Sequence, residues 1–532
     1  MTLPEDPAIR HATAPSSVPA SAVQAASPLW TAYEVAAATG GALCARPSAS
    51  ASAFAPSEGA GAWIAEEWTA AGISIDTRSL RAGDIFVALK AARDGHEFLD
   101  AAFRAGASAA LVDTIGESAP RDAPLVVVED ALAGLTRLAT AARRRNFGKR
   151  VAITGSAGKT STKEMMRTVF SGFGEAHAAD KSLNNHIGVP LTLARMPLRA
   201  DFGVFEIGMN HAGEITPLVR LVQPHVAIIT TVGEAHLENF PSVEGIARAK
   251  AEIMLGLVKG GVAVLPIDNE HFDLLAQLAR DAGVERIMTF GENARADVRL
   301  LDYQTDGIVG HARAFAAGSR LSFEVGAPGR HQAMNALAVL AAAYALGLPV
   351  NHAAARLARF GAGGGRGLQR MVRLDGGRRV AILDESYNAN PSSARAAIAL
   401  LGAMTRPKGG RKIVVLGDML ELGPDSPALH AGLLEALLAA GVDKVYSAGA
   451  LARHLYDAAP DEMKGAAADD AATLSELVKM ALLDGDIVMV KGSNASKVSR
   501  VVDALVAADV SPADAASDAS INSGGSQERR SN

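Results

Sequence analysis

Cysteine is all but absent. Cys44 is the only thiol in 532 residues, which excludes an internal disulfide framework and a cysteine-built zinc site and leads us to expect a reducing, cytoplasmic setting. Aromatic residues are scarce at 5%, a habit of composition without functional content. A basic surplus is missing too: 52 Lys and Arg stand against 57 Asp and Glu, a formal net charge of -5. That argues against a nucleic-acid partner, which usually leaves a basic footprint. No apolar run reaches the ~18 residues of a membrane span. Residues 1–28, rich in Ala, Pro and Ser, lack the continuous apolar segment of a secretory signal. They and residues 511–532 also lack the large apolar side chains that would offset the entropy of ordering them, so both are expected to be disordered tails.

What is present suffices for several cores, with 49% hydrophobic and 20% charged residues. The length suggests about three domains, and the pattern divides into residues 29–147, 148–365 and 366–510. In the first block, Gly72–Asp76 and Gly83–Leu89 read as strands entering polar turns, and Phe98–Ala105 and Ala131–Arg144 as helices. In the second, strand-like runs at Arg150–Ile153, Phe202–Ile207, Val226–Thr231 and Val262–Pro266 alternate with helical stretches. That alternation implies a parallel sheet covered on both faces. A β-like excursion over Val298–Val325 precedes a helix at Gln332–Leu346. In the third, Arg379–Asp384, Lys412–Leu416, Lys444–Ser447 and Asp486–Val490 read as strands. Ser392–Met404, Ala428–Ala440 and Lys497–Ala508 read as helices. The expected fold class is α/β in three domains: an N-terminal α/β substrate domain, a central parallel-sheet ATPase domain with a P-loop, and a C-terminal Rossmann-like domain. Ligands of such sheets sit beyond the carboxyl ends of the strands, where Asp384–Asn390 and Lys491–Asn494 fall.

The strongest chemical signal is Thr154-Gly155-Ser156-Ala157-Gly158-Lys159-Thr160, between a strand and the helical Ser161–Ser171. Glycines there let backbone N–H groups converge on phosphate oxygens, and the helix N-terminus adds a favourable field. Lys159 would reach the β- and γ-phosphates, and the Thr160 hydroxyl would ligate Mg²⁺. Ile153 stands where the longer phosphate-loop pattern has its first glycine. Glu206, ending a strand beside that loop, suits Mg²⁺ as an oxygen donor, yet taken alone it reads equally as a strand-end surface charge. A lone histidine such as His236 is more often structural than a ligand, and a single helix lysine such as Lys250 is normally solvated. Their combination raises both.

That combination resembles a known family. Gly155–Thr160, Ser182-Leu-Asn-Asn185-His-Ile-Gly-Val-Pro190, Glu206, His236 and Lys250 together are similar to the central domain of the Mur ligases. Asp76-Thr77-Arg78, Asp94-Gly-His96, Glu206–Asn210, Glu385–Pro391 and Gly417–Gly423 further resemble the dipeptide-adding branch. The likeness covers roughly residues 30 to 508. It implies an ATP-dependent amide ligase of peptidoglycan precursor synthesis, with UDP-N-acetylmuramoyl-tripeptide and D-alanyl-D-alanine as its partners, acting as a soluble monomer. It implies that ATP is held by Gly155, Ser156, Ala157, Gly158, Lys159, Thr160 and Ser161, with Asn335 at adenine and Arg366 and Asp384 at phosphate and ribose. Glu206, His236 and a CO₂-carbamylated Lys250 would hold one Mg²⁺, and Thr160 would help hold another. Asp76, Thr77, Arg78, Asn184, Asn185, Tyr387 and Asn388 would face the UDP-sugar peptide and the incoming amine. Two alternatives remain: a ligase of the same architecture with another acceptor, or a nucleotide-gated binding protein that hydrolyses ATP without making a peptide.

Overall fold

The computed structural model describes residues 28–44, 68–121 and 123–510; the two expected tails lie outside this range, apart from Pro28. No helix among the described residues is long and apolar enough to cross a membrane.

Three larger sheets organise the chain. The first has five strands in the order Ala42–Cys44, Leu125–Val127, Ala109–Val112, Asp84–Val87, Gly72–Ser74. Only its first pair is antiparallel. The helix Ala131–Arg145 is capped by Asp130, whose carboxylate accepts from Ala133 N, and carries three arginines in its last turn. Both features complement the helix dipole. This helix packs on Gly188–Ala194 of the central block, and the Trp30 indole donates to Ala194 O at 3.0 Å. The apolar core therefore runs without a break from Val35, Leu135 and Leu138 into Val189, Leu193 and Ile215.

The central sheet has nine strands, in the order Ser319–Val325, Gly310–Ala316, Val298–Thr305, Arg286–Gly291, Val262–Pro266, Val226–Ile229, Lys149–Thr154, Phe202–Glu206, Ala176–Ala178. From Val298–Thr305 to Ala176–Ala178 every pair is parallel; the remaining two pairings are antiparallel. The β-like excursion read from sequence is thus an extension of the main sheet. Alternate residues of Lys149–Thr154 serve opposite faces: Val151 and Ile153 pack toward the helices Lys159–Phe170 and Arg330–Ala345, and Ala152 toward the other face. The chain leaves Lys149–Thr154 for Phe202–Glu206 on one side and Val226–Ile229 on the other. This switch point, where doubly wound sheets bind ligands, is where the glycine-rich turn lies.

The third sheet runs Leu368–Leu374, Arg378–Glu385, Ile487–Lys491, Lys412–Gly417, Lys444–Ala448, Lys464–Ala468. It is parallel except for the first hairpin. Two local readings need correction. The helix expected over Ala428–Ala440 is two, Ser426–Ala431 and Leu434–Ala439, broken at Gly432-Leu433. The helix after the glycine-rich turn begins at Lys159 rather than Ser161, because Gly158 is its N-cap at φ 82°.

Candidate active site

The turn from Gly155 to Gly158 is shaped by contacts only glycine tolerates. A Cβ on Gly155 would fall inside the Thr230 hydroxyl, and one on Gly158 would come within 2.5 Å of Asn335 Oδ1. Ser156 locks the turn to the neighbouring loop: its hydroxyl donates to Gly233 O at 2.9 Å, and its N–H to Thr231 O at 2.9 Å. The free N–H groups of the first helical turn, with Lys159 and Thr160, then face outward as an anion cradle. The half-buried Lys159 ammonium donates to Gly155 O at 2.7 Å. Burial pushes its pKa down, with Glu206 opposing the fall and Arg366 adding to it.

Glu206 is the electrostatic counterpart. It is 4% exposed; Oε2 accepts from Thr160 Oγ1 at 2.7 Å, and Oε1 from Ser182 Oγ at 2.7 Å and Asn184 Nδ2 at 2.8 Å. Burial alone would raise its pKa, but the charge of Lys159 and these three donors outweigh it and hold the carboxyl below its ordinary range. Above this pair a cavity of about 660 Å³ opens, walled on one side by the glycine-rich turn and on the other by Arg366, Glu385, Tyr387, Asn390, Lys491 and Asn494 of the third block. Asn390 Nδ2 reaches across to Ser156 O at 3.1 Å. The Arg366 guanidinium lies 3.9 Å over the Tyr387 ring.

An anion cradle, an ionised carboxylate beside it and an arginine on the facing wall form a site for activating one anion against another. Residues 153–343 match the family described as the Mur ligase middle domain, and residues 369–494 the Mur ligase glutamate ligase domain. The UDP-N-acetylmuramoyl-tripeptide–D-alanyl-D-alanine ligase of Escherichia coli is 34% identical, over 81% of this chain and 93% of that one. Its counterpart in Rickettsia prowazekii is 31% identical over 81% and 94%. The chain belongs to the Mur ligase family. Among solved structures, MurF from Acinetobacter baumannii superposes with a TM-score of 0.74 at 28% identity, over 90% of this chain and 99% of that one. MurF from Thermotoga maritima in complex with ADP gives 0.68 at 28%, over 82% and 97%.

In this Mur ligase, Ser156, Ala157, Gly158, Lys159, Thr160, Ser161, Asn184, Glu206, His236, Asn335, Arg366, Tyr387 and Asn388 all line the cavity. Other expected residues take different places. Asp384 is buried behind the wall, where its carboxylate accepts from Gly365 N at 2.8 Å and from Ser386 Oγ at 2.6 Å. It shapes the loop that presents Arg366 instead of touching the cavity. The Asn185 side-chain Oδ1 accepts from Ile187 N and Gly188 N, initiating the following helix. Asp76 and Arg78 pair with each other at 2.6 Å, away from the cavity, and the guanidinium draws the Asp76 carboxyl down to about 2. Thr77 lies between them.

Lys250 is 2% exposed and does not line the cavity. Burial, reinforced by the charge of Lys159, pushes its amine well below the ordinary lysine range. Thr160 and Glu206, which the family resemblance assigns to separate cations, are in direct contact. Among the described residues no cluster of three or more His, Cys, Asp or Glu is close enough to share a metal. An ionised carboxylate and a hydroxyl at a phosphate site are the sparse oxygen set that Mg²⁺ accepts, since it keeps several waters and phosphate oxygens as ligands.

Sequence reasoning passed over several wall residues. Ser182 and Asn390 carry no role from the sequence alone, and Lys491 is marked there only by its strand-end position. Its ammonium, 2% exposed, donates to Asn388 O at 3.0 Å and lies 3.6 Å from Glu385. A buried lysine at a strand end was the available signal.

Proposed function

We propose that this chain joins D-alanyl-D-alanine to UDP-N-acetylmuramoyl-tripeptide at the expense of ATP, the dipeptide-adding step of peptidoglycan precursor synthesis. The observation that carries the chemistry is the Lys159–Thr160–Glu206 constellation facing Arg366 across one cavity. The acceptor specificity rests on relatives of that activity matching along nearly their whole length.

The γ-phosphoryl group of ATP passes to the terminal carboxylate of the tripeptide, releasing ADP and leaving an acyl phosphate. The amine of D-alanyl-D-alanine attacks the acyl carbon, the tetrahedral intermediate expels inorganic phosphate, and the amine proton is lost to solvent or base. Phosphoryl transfer is chiefly a matter of positioning and charge neutralisation. The backbone N–H groups of Gly158 to Ser161 and the Lys159 ammonium bear on the phosphates, and Arg366 supplies positive charge from the opposite wall. Thr160 and Glu206 would hold Mg²⁺, which when bound neutralises phosphate charge. Ser182 and Asn184 keep the Glu206 carboxylate oriented and ionised. Closure of the third block over the cavity excludes water that would hydrolyse the acyl phosphate.

Within this reading Lys250 is carbamylated, because burial and the charge of Lys159 make its amine give up its proton more readily than an ordinary lysine and the deprotonated amine is the form that adds CO₂, and the enzyme acts in the cytoplasm as a monomer. Incubating the protein with ATP, Mg²⁺, UDP-linked tripeptides and either D-alanyl-D-alanine or single amino acids, then weighing the products, tests the reading. We expect a mass gain of one dipeptide less water, with stoichiometric ADP. ADP release without peptide product, or product with single amino acids only, overturns it.

A further inference from the structure

The helix Lys159–Phe170 carries a lysine that solvent does not reach. Lys163 is 0% exposed and one of the largest fully buried side chains. Burying an ammonium group is costly unless hydrogen bonds and a counter-charge replace water. Both are present. Nζ donates to Ala179 O at 2.5 Å and to Lys181 O at 3.1 Å, and Glu164 Oε1 lies 2.9 Å away. The two carbonyls belong to one segment, residues 179–187, which has neither helix nor strand and links Ala176–Ala178 to Gly188–Ala194.

That segment delivers two of the groups around Glu206. Ser182 Oγ and Asn184 Nδ2 donate to Glu206 Oε1 at 2.7 and 2.8 Å. Lys181 O accepts from Leu183 N as well, at 2.9 Å, so the lysine holds the turn that aims both donors. Asn184 O in turn accepts from Gly208 N at 2.8 Å. The helix meets the segment along one face, because residues three and four apart lie above one another. Thr160 donates to Glu206 Oε2, Lys163 holds Ala179 and Lys181, and Arg167 pairs with Asp180 at 3.2 Å. The last pair is exposed and adds little. Lys163 is the buried anchor.

We infer that Lys163 is a positioning residue: it fixes residues 179–184 to the phosphate-loop helix so that the Ser182 hydroxyl and the Asn184 amide meet Glu206. Lys163 does not line the cavity and acts through its two carbonyl acceptors. Without the ammonium, a segment lacking regular structure is ordered only by an exposed ion pair and by the Glu206 contacts themselves. The carboxylate beside Thr160 then loses its fixed orientation. A displacement of about 1 Å at a reacting site can cost about 10²-fold in rate. The inference rests on the ligase reading above only for the reaction that Glu206 serves; the anchoring is independent of it.

The test uses the full chain. Lys163→Met keeps the length of the side chain and removes its charge and donors. Hydrogen exchange is followed by mass spectrometry, and ADP release with the UDP-linked tripeptide and D-alanyl-D-alanine gives kcat. Exchange is expected to quicken in residues 179–187 and at Gly208 while the helix Arg330–Ala345 stays protected. We expect kcat to fall by about 10–10²-fold with little change in the KM for ATP, whose cradle keeps its backbone amides. Ser182→Ala combined with Asn184→Ala should lose kcat similarly, and adding Lys163→Met to that pair should cost no more than about twofold further. Unchanged exchange in residues 179–187, a kcat within about twofold of wild type, or losses that multiply in the combined variant overturn the proposal. So does a Lys163→Met chain that fails to melt cooperatively, since the lysine then serves the core instead of the segment. Failure of the ligase reading shows instead as a wild-type protein that makes no peptide, and leaves the exchange readout intact.

Discussion

The Thr160 hydroxyl donates to Glu206 Oε2 at 2.7 Å, tying the first turn of the phosphate-loop helix to the tip of the adjacent strand. Three donors and the nearby Lys159 keep that carboxylate charged despite its burial. Glu206→Gln preserves shape and removes the charge, so ligation should fall by about 10²-fold or more while the fold persists. Steady-state ADP release compared with a thermal melt checks this; near-normal turnover would remove Glu206 from the site.

Lys159 contributes a positive charge aimed at phosphate and only one internal hydrogen bond, to Gly155 O. Lys159→Met should therefore lower kcat by about 10²–10³-fold and leave the melting temperature close to wild type. A large drop in melting temperature with modest loss of turnover would contradict the assignment.

Gly158 combines φ 82° with a contact to Asn335 that a methyl group would invade. Gly158→Ala should cost about 1–3 kcal/mol in strain at the turn and abolish measurable nucleotide binding by calorimetry. Retained affinity would show that the cradle is not built on this turn.

The desolvated Lys250 amine predicts a CO₂ adduct. With ¹³C-bicarbonate, wild-type protein should show one carbamate carbon resonance that disappears in Lys250→Ala and on removal of CO₂. No such resonance at mildly alkaline pH would leave Lys250 a buried, unmodified amine.

His225 ties stability to pH. Its Nδ1 accepts from Arg150 N at 3.0 Å, and burial with the nearby charges of Arg150 and Lys149 brings its pKa from 6.5 to about 4. In the unfolded chain the ring protonates first, so its contribution is complete above about 6.5 and is lost as pH falls toward 4. The loss is on the order of 1–3 kcal/mol. His225→Asn, which keeps an acceptor for Arg150 N, should flatten the fall in melting temperature between pH 7 and 4.5. An unchanged slope would assign the acid sensitivity elsewhere.

Much of the site was legible before any coordinates. Glycine spacing between a strand and a helix is a local signal, because backbone freedom and helix-terminal N–H groups belong to neighbouring residues. Alternating apolar runs likewise announced the parallel sheets, and the run from Val298 to Val325 announced its β-character. The strand Leu368–Leu374 is not legible in the sequence because Gln369, Arg370 and Arg373 interrupt its apolar pattern at a sheet edge. The broken helix at Gly432-Leu433 read as continuous because its apolar spacing continues through the break.

Composition, periodicity and one glycine-rich turn thus sufficed to establish an α/β phosphate-handling protein, since each depends on residues within a turn or two of one another; the family resemblance rested on a combination of motifs spread along the chain. Tertiary structure alone decided which oxygen faces which donor. It gathered Ser182, Asn184 and Thr160 around Glu206, withdrew Asp384 from the cavity to brace the Arg366 loop, and set Glu421 against His236. These partners are separated along the chain by up to 185 residues, and only the packing of whole sheets and helices brings them to hydrogen-bonding distance.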